Sequence, residues 1–160
     1  MRLDGMGDLL SRARGASVMD IGCNRGQVGY EFYLNGAAIV HGCDNYEPGI
    51  MAAREWFVDL RSVKSQFEVV DLALGARSLA PFGAQGYDIV VMLATYHKLK
   101  RVMKADALSS LMREFANRSA RYFAWRGTSD KPGLRRARWL SPWRRNTPAM
   151  VLTAGGRLIR

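Results

Sequence analysis

Four stretches of this chain end on residues that could do chemistry. Asp20 opens Asp20-Ile21-Gly22-Cys23-Asn24-Arg25-Gly26, Asp44 closes a second apolar run, Asp71-Leu72 follows a third, and Leu93-Ala94-Thr95-Tyr96-His97 ends a fourth. Gly22 and Gly26 let the backbone turn sharply and leave room for a ligand against the main chain. Asn24 stands where a glycine would be easiest, and asparagine is among the few residues that tolerate a left-handed conformation. The loop does not fit a dinucleotide: a G-x-G-x-x-G frame from Gly22 meets Asn24 and Gln27, and a frame ending Gly26 and Gly29 lacks its first glycine. Asp20 would also set a negative charge where a pyrophosphate lies. No G-K-S/T follows a glycine loop, so a Walker phosphate site is excluded as well. An acid in this place suits a ligand with a cationic end.

The elements that must position these residues follow from periodicity. Residues 17–21, 38–43, 67–71, 87–93 and 121–125 are short runs rich in Val, Ile, Phe and Tyr, as buried strands of a parallel sheet are. Between them, Ile50, Ala53, Phe57 and Leu60 fall on one helical face, as do Leu108, Leu111, Met112 and Phe115. Residues 27–34 read as a helix with Gly36 as its C-terminal cap, and residues 8–14 as a helix before the first strand. Alternation of this kind predicts an α/β fold: a Rossmann-like open, mostly parallel sheet with helices on both faces. Ligands in such sheets sit beyond the carboxyl ends of the strands, where the residues above lie.

Pro132, Pro142 and Pro148 punctuate the chain after Gly127, which divides it into a core of residues 1–128 and a C-terminal segment of residues 129–160. Residues 148–160 admit a hairpin turning at Gly155-Gly156, but the absence of a period-2 pattern favours a helix stopped there, followed by the opening of a sixth strand. On that reading the C-terminal edge of the sheet is truncated.

At 48% hydrophobic and 24% charged residues the composition is that of a globular protein. No apolar run approaches the ~18 residues of a membrane span, and residues 1–5 do not resemble the start of a secretory signal, so the expected setting is cytoplasmic. Two cysteines exclude a disulfide scaffold, and two distant histidines exclude a histidine-rich metal site. The net charge of +10 is unevenly spread: residues 1–120 carry 14 Lys/Arg against 13 acids, and residues 121–160 carry 10 against one.

Val18-Met19-Asp20-Ile21-Gly22-Cys23-Asn24-Arg25-Gly26 resembles the first motif of class I S-adenosylmethionine-dependent methyltransferases, with Asn24 in place of the middle glycine. The resemblance extends over roughly residues 15–128. It implies that Asp44 meets the ribose hydroxyls, that Asp71 and Leu72 meet the adenine, and that the run ending Leu93 to His97 forms the cofactor and substrate pocket. The implied cofactor set is Asp20, Gly22, Cys23, Asn24, Gly26, Asp44, Asn45, Asp71, Leu72 and Leu93. The chemistry agrees, because carboxylates accept hydrogen bonds from an ammonium and a diol, and the cofactor has no phosphate. Each acid taken singly also has a plainer reading as the cap of the next helix.

The implied reaction needs chiefly in-line positioning of an acceptor, with a base only where the acceptor loses a proton. His97 is the candidate base and Tyr96 a packing surface for the acceptor; a structural histidine is the alternative. No Asn/Asp-Pro-Pro-Tyr stands at the fourth strand, which disfavours amino-methylation of adenine or glutamine, and no Pro-Cys nucleophile of pyrimidine carbon methylation is present. The Tyr96-His97 ending does not decide between small-molecule and tRNA acceptors; a small-molecule acceptor is the expectation. The other reading is an RNA acceptor held through Arg135, Arg136, Arg138, Trp139, Arg144 and Arg145. A third is a non-catalytic domain that binds cofactor or a partner. Cys23 and Cys43 read as buried thiols.

Overall fold

The computed structural model describes residues 6–126, 150–152 and 158–159. The expected boundary at residue 128 and the basic residues from Arg135 to Arg145 lie outside them. Seven strands form one sheet in the order β3-β2-β1-β4-β5-β6-β7. They are β1 (Ser17–Ile21), β2 (Ile39–Asp44), β3 (Lys64–Val69), β4 (Tyr87–Leu93), β5 (Ser119–Arg126), β6 (Met150–Leu152) and β7 (Leu158–Ile159). Strands β1 to β6 pair in parallel, and β7 pairs antiparallel with β6.

The alternation of side chains across β1 and β4 builds two cores. Val18, Ile89 and Val91 face one side, where they meet Phe32 of α2 (Gln27–Leu34) and Ile50, Ala53 and Phe57 of α3 (Glu47–Val58). Met19, Ile21, Val90 and Met92 face the other, where they meet Leu99 of α4 (Tyr96–Val102) and Leu108, Leu111 and Phe115 of α5 (Ala105–Asn117). A short α1 (Gly7–Leu10) buries Leu9 in the first core. Central strands covered on both faces read as continuous apolar runs, which is why β1 and β4 have the expected limits. A polar tie fixes their register: the Asp88 carboxylate accepts from both the backbone N–H and the hydroxyl of Ser17, at 2.9 Å each.

Four differences from the sequence reading have physical causes. β3 begins at Lys64 and is largely exposed, because an edge strand pairs through its backbone whatever its side chains are. α1 is shorter than the expected residues 8–14. Tyr96 and His97 lie in the first turn of a helix rather than on the strand tip; α4 buries only Leu99, too little for an apolar period to show. Residues 150–152 are not part of the expected helix but form β6, which adds to the edge of β5 opposite Tyr122, Phe123 and Ala124; β7 pairs antiparallel with it, as the hairpin reading has it, so the sheet is not truncated at β5. Open backbone groups at the β5 edge outweigh a weak local period.

Candidate functional site at the strand ends

The loop between β1 and α2 carries three left-handed residues: Gly22 at φ +79, Asn24 at +52 and Gly26 at +76. It is tied to the end of β2. The N–H groups of Gly22 and Cys23 both donate to the Cys43 carbonyl, at 2.8 and 3.0 Å. The N–H of Asn24 donates to Asp44 Oδ2 at 2.9 Å, and the N–H of Tyr46 donates to Asp44 Oδ1 at 3.0 Å. Asp44 therefore holds the loop through Oδ2 and its own following turn through Oδ1, and a carboxylate oxygen can accept more than one bond. Asn45 beside it is exposed. At the base of the loop Asp20 is only 2% exposed, a carboxylate inside the fold.

Gly22 faces the tip of β4, where a Cβ would collide with the Thr95 hydroxyl. That contact joins loop and tip across the sheet. The tip itself is bent: Leu93 is buried and Ala94 takes φ +59. Beyond it Tyr96 packs edge-on against Trp125 at the end of β5, with ring centroids 4.8 Å apart. His97 Nδ1 and Trp125 Nε1 are both buried, without a hydrogen-bond partner among the described residues. On the other side of the tip, α4 packs on a 3-10 turn, Leu72–Leu74. Asp71 caps that turn through the Ala73 N–H at 2.9 Å, and Leu72 is buried. For Asp71 the helix-capping role is thus realised, and its second oxygen points to no such bond.

The structure brings Gly22, Cys23, Asn24 and Asp44 into one hydrogen-bonded unit, with Thr95 against it. Thr95, Ala94 and Trp125 were not singled out from sequence; the strand-end rule applied to β5 would have found Trp125. The two thiols are free and buried, Cys23 in the first core and Cys43 in the second. Burial pushes both upward, Cys43 to about 12, and the Asp20 charge adds to the burial of Cys23. Both stay protonated and non-nucleophilic near neutral pH. Among the described residues no three His, Cys, Asp or Glu side chains cluster as a metal site would. A concave region of about 530 Å³ lies at the opposite end of the sheet, lined by Leu10, Arg14, Tyr33, Asn35 and Ser62 among others. Ligands in open α/β sheets gather at the carboxyl ends, so the strand-end loop remains the candidate.

No protein-family model and no curated protein matches the sequence. Solved structures do match. Magnesium protoporphyrin IX methyltransferase (ChlM) from Synechocystis PCC 6803, crystallised with bound SAM, is 22% identical with a TM-score of 0.54, over 74% of this chain and 53% of its own. The bifunctional kinase-methyltransferase WbdD is 20% identical with a TM-score of 0.58, over 74% and 26%. A TehB-like SAM-dependent methyltransferase from Corynebacterium glutamicum ATCC 13032 Kitasato is 20% identical with a TM-score of 0.51, over 73% and 61%. This chain has the class I S-adenosylmethionine-dependent methyltransferase fold. It spans about half the length of ChlM and a quarter of WbdD. Among the described residues, no helix is long and apolar enough to cross a membrane.

Proposed function

We propose that the chain is an S-adenosylmethionine-dependent methyltransferase of cytoplasmic setting, with its cofactor held by the strand-end loop. The observation that carries the proposal is the left-handed loop closed by Asp44 beside buried Asp20, at the β1 and β2 ends of this fold. The donor set fits the group. Carboxylates of Asp20 and Asp44 offer acceptors to an ammonium and a diol, and Leu72 beside Asp71 offers an apolar surface with a hydrogen-bond acceptor to an adenine. Gly22, Asn24 and Gly26 bring backbone close to the ligand, with Cys23, Asn45 and Leu93 around it.

When bound, the cofactor supplies a methyl on a cationic sulfonium and leaves as a neutral thioether. The residues of this chain do the remaining work. Tyr96 and Trp125 form an aromatic wall at the β4 and β5 tips that orients an acceptor, and orientation can contribute about 7–11 kcal/mol of the barrier. His97, in the first turn of α4 at the β4 tip, receives the acceptor proton where one must leave. Small-molecule and RNA acceptors share this mechanism, since in either case the acceptor atom must arrive in line at the β4 tip.

Calorimetric titration with S-adenosylmethionine and S-adenosylhomocysteine tests the proposal. Saturable binding is expected, weakened about tenfold or more by Asp44→Ala, the worth of a hydrogen bond to a charged group. Binding of NAD in place of either compound would overturn it.

A further inference from the structure

The sequence divides in charge at the β4 tip. Residues 1–95 carry 8 Lys/Arg against 11 acids, and residues 96–160 carry 16 against 3. In the sheet β1, β2 and β3 lie on one side of β4, and β5, β6 and β7 on the other. The acids Asp20, Asp44 and Asp71 stand at the ends of the first group. Helix α4, which starts at the crevice with Tyr96 and His97, carries Lys98, Lys100 and Arg101, and Lys104 follows at the start of α5. All four cations are exposed, and none takes part in an ion pair among the described residues. Asp106 is the one acid in residues 96–113.

A negative pocket suits a cationic cofactor; a positive surface next to it suits an anionic acceptor. Seven residues of α4 span about 10 Å. Over that length a nucleic-acid strand presents about three phosphates at duplex spacing, whereas a single carboxylate or phosphate would engage one or two of the cations. Half-buried Tyr96, already packed on Trp125, adds an aromatic surface at the point where the cations begin. Aromatic rings beside a cationic track are what single strands bind, by stacking and by phosphate contact together.

We propose that α4 and the first turn of α5 form a docking surface for single-stranded RNA, with Lys98, Lys100, Arg101 and Lys104 on its phosphates and the acceptor nucleotide delivered to the β4 tip. The delivery, though not the surface, rests on the methyltransferase reading.

Fluorescence anisotropy of the full chain with a labelled, mixed-sequence RNA strand of about 20 nucleotides, between about 50 and 200 mM salt, tests it. The expected result is an affinity that falls steeply with salt. The triple variant Lys98→Ala, Lys100→Ala, Arg101→Ala weakens binding about tenfold at the low-salt end. It also flattens the slope of log affinity against log salt by about 2, at about 0.7 for each lost contact. The charge-conserving Lys98→Arg, Lys100→Arg, Arg101→Lys variant keeps wild-type affinity, which separates charge from folding. An unchanged affinity and slope in the triple variant, with its circular dichroism intact, overturns the surface; so does poly-glutamate displacing the labelled RNA at equal charge concentration. Calorimetry with S-adenosylmethionine runs in parallel. Loss of cofactor binding in wild type, with α4-dependent RNA binding retained, overturns the methyltransferase reading and supports the surface alone.

Discussion

Asn24 sits at φ +52 between glycines at +79 and +76, so the loop after β1 uses the left-handed region three times in five residues. The N–H of Asn24 is held by Asp44 at 2.9 Å, which offsets part of the conformational cost. Asn24→Gly is therefore expected to leave the melting temperature nearly unchanged, whereas Asn24→Val loses about 1–2 kcal/mol from the conformation alone. Gly22→Ala carries the same conformational cost and adds a collision with Thr95. Its effect is a lowered melting temperature together with loss of cofactor titration, because Thr95 must move and the loop moves with it. His97 is a different case, for it shapes nothing in the loop. His97→Ala is expected to leave S-adenosylmethionine affinity unchanged and to lower labelled-methyl transfer to total RNA or a metabolite extract about a hundredfold or more. Full turnover in that variant would remove His97 from the mechanism.

Strands β2 and β4 are coupled across the second core by a buried polar pair. His41 Nδ1 lies 2.8 Å from the Tyr87 hydroxyl, with Phe82 against the imidazole. Burial lowers the His41 pKa and pushes Tyr87 up to about 12. Each shift disfavours the charged form in the fold, so each weakens the fold where the unfolded chain ionises first. For His41 the unfolded chain binds the proton more readily, so stability is complete above about pH 6.5 and declines as pH falls below it. For Tyr87 stability declines as pH rises through about 10 toward 12. Melting temperatures measured from about pH 5 to 8 should fall on the acid side, and His41→Gln should flatten that limb. An acid limb unchanged by the substitution would place its origin elsewhere. Packing of the other core is tested at α2, where Phe32 is fully buried. Phe32→Ala is expected to cost about 3–5 kcal/mol in denaturant unfolding, from lost transfer energy and the cavity left behind.

At the scale of the molecule, the sheet order determines what the charges do. The acids of the strand ends and the cations of α4 are separated in sequence, and the fold brings them together at the β4 tip, where α4 packs on the turn that Asp71 caps. The proposed cofactor side holds buried Asp20 and partly buried Asp44, while the cations of α4 are exposed. Ionic strength should therefore act on the two sides unequally, since salt screens exposed charges far more than buried ones. Cofactor affinity is expected to change less than about threefold between about 50 and 200 mM salt, while RNA affinity falls steeply.

Much of the site was legible because it is local. A strand followed by an acid and glycines is a pattern of adjacent residues, and so Asp20, the Gly22–Gly26 turn and the left-handed Asn24 could be read from type and order. β1 and β4 were legible for the same reason, being apolar without interruption. What the sequence left open depends on partners far along the chain. Thr95 comes to the Ile21–Gly22 corner from 74 residues away. Asp44 was readable as an acid at a strand end, but the bond from the Asn24 N–H to its Oδ2 required the β1–β2 register. β3 begins among polar residues, and β6 lies where the local period favoured a helix; both are defined by backbone groups of a neighbouring strand. Side-chain patterns report what each stretch buries, whereas edge pairing and the meeting of strand ends follow from the order in which strands pack, which tertiary structure alone decided.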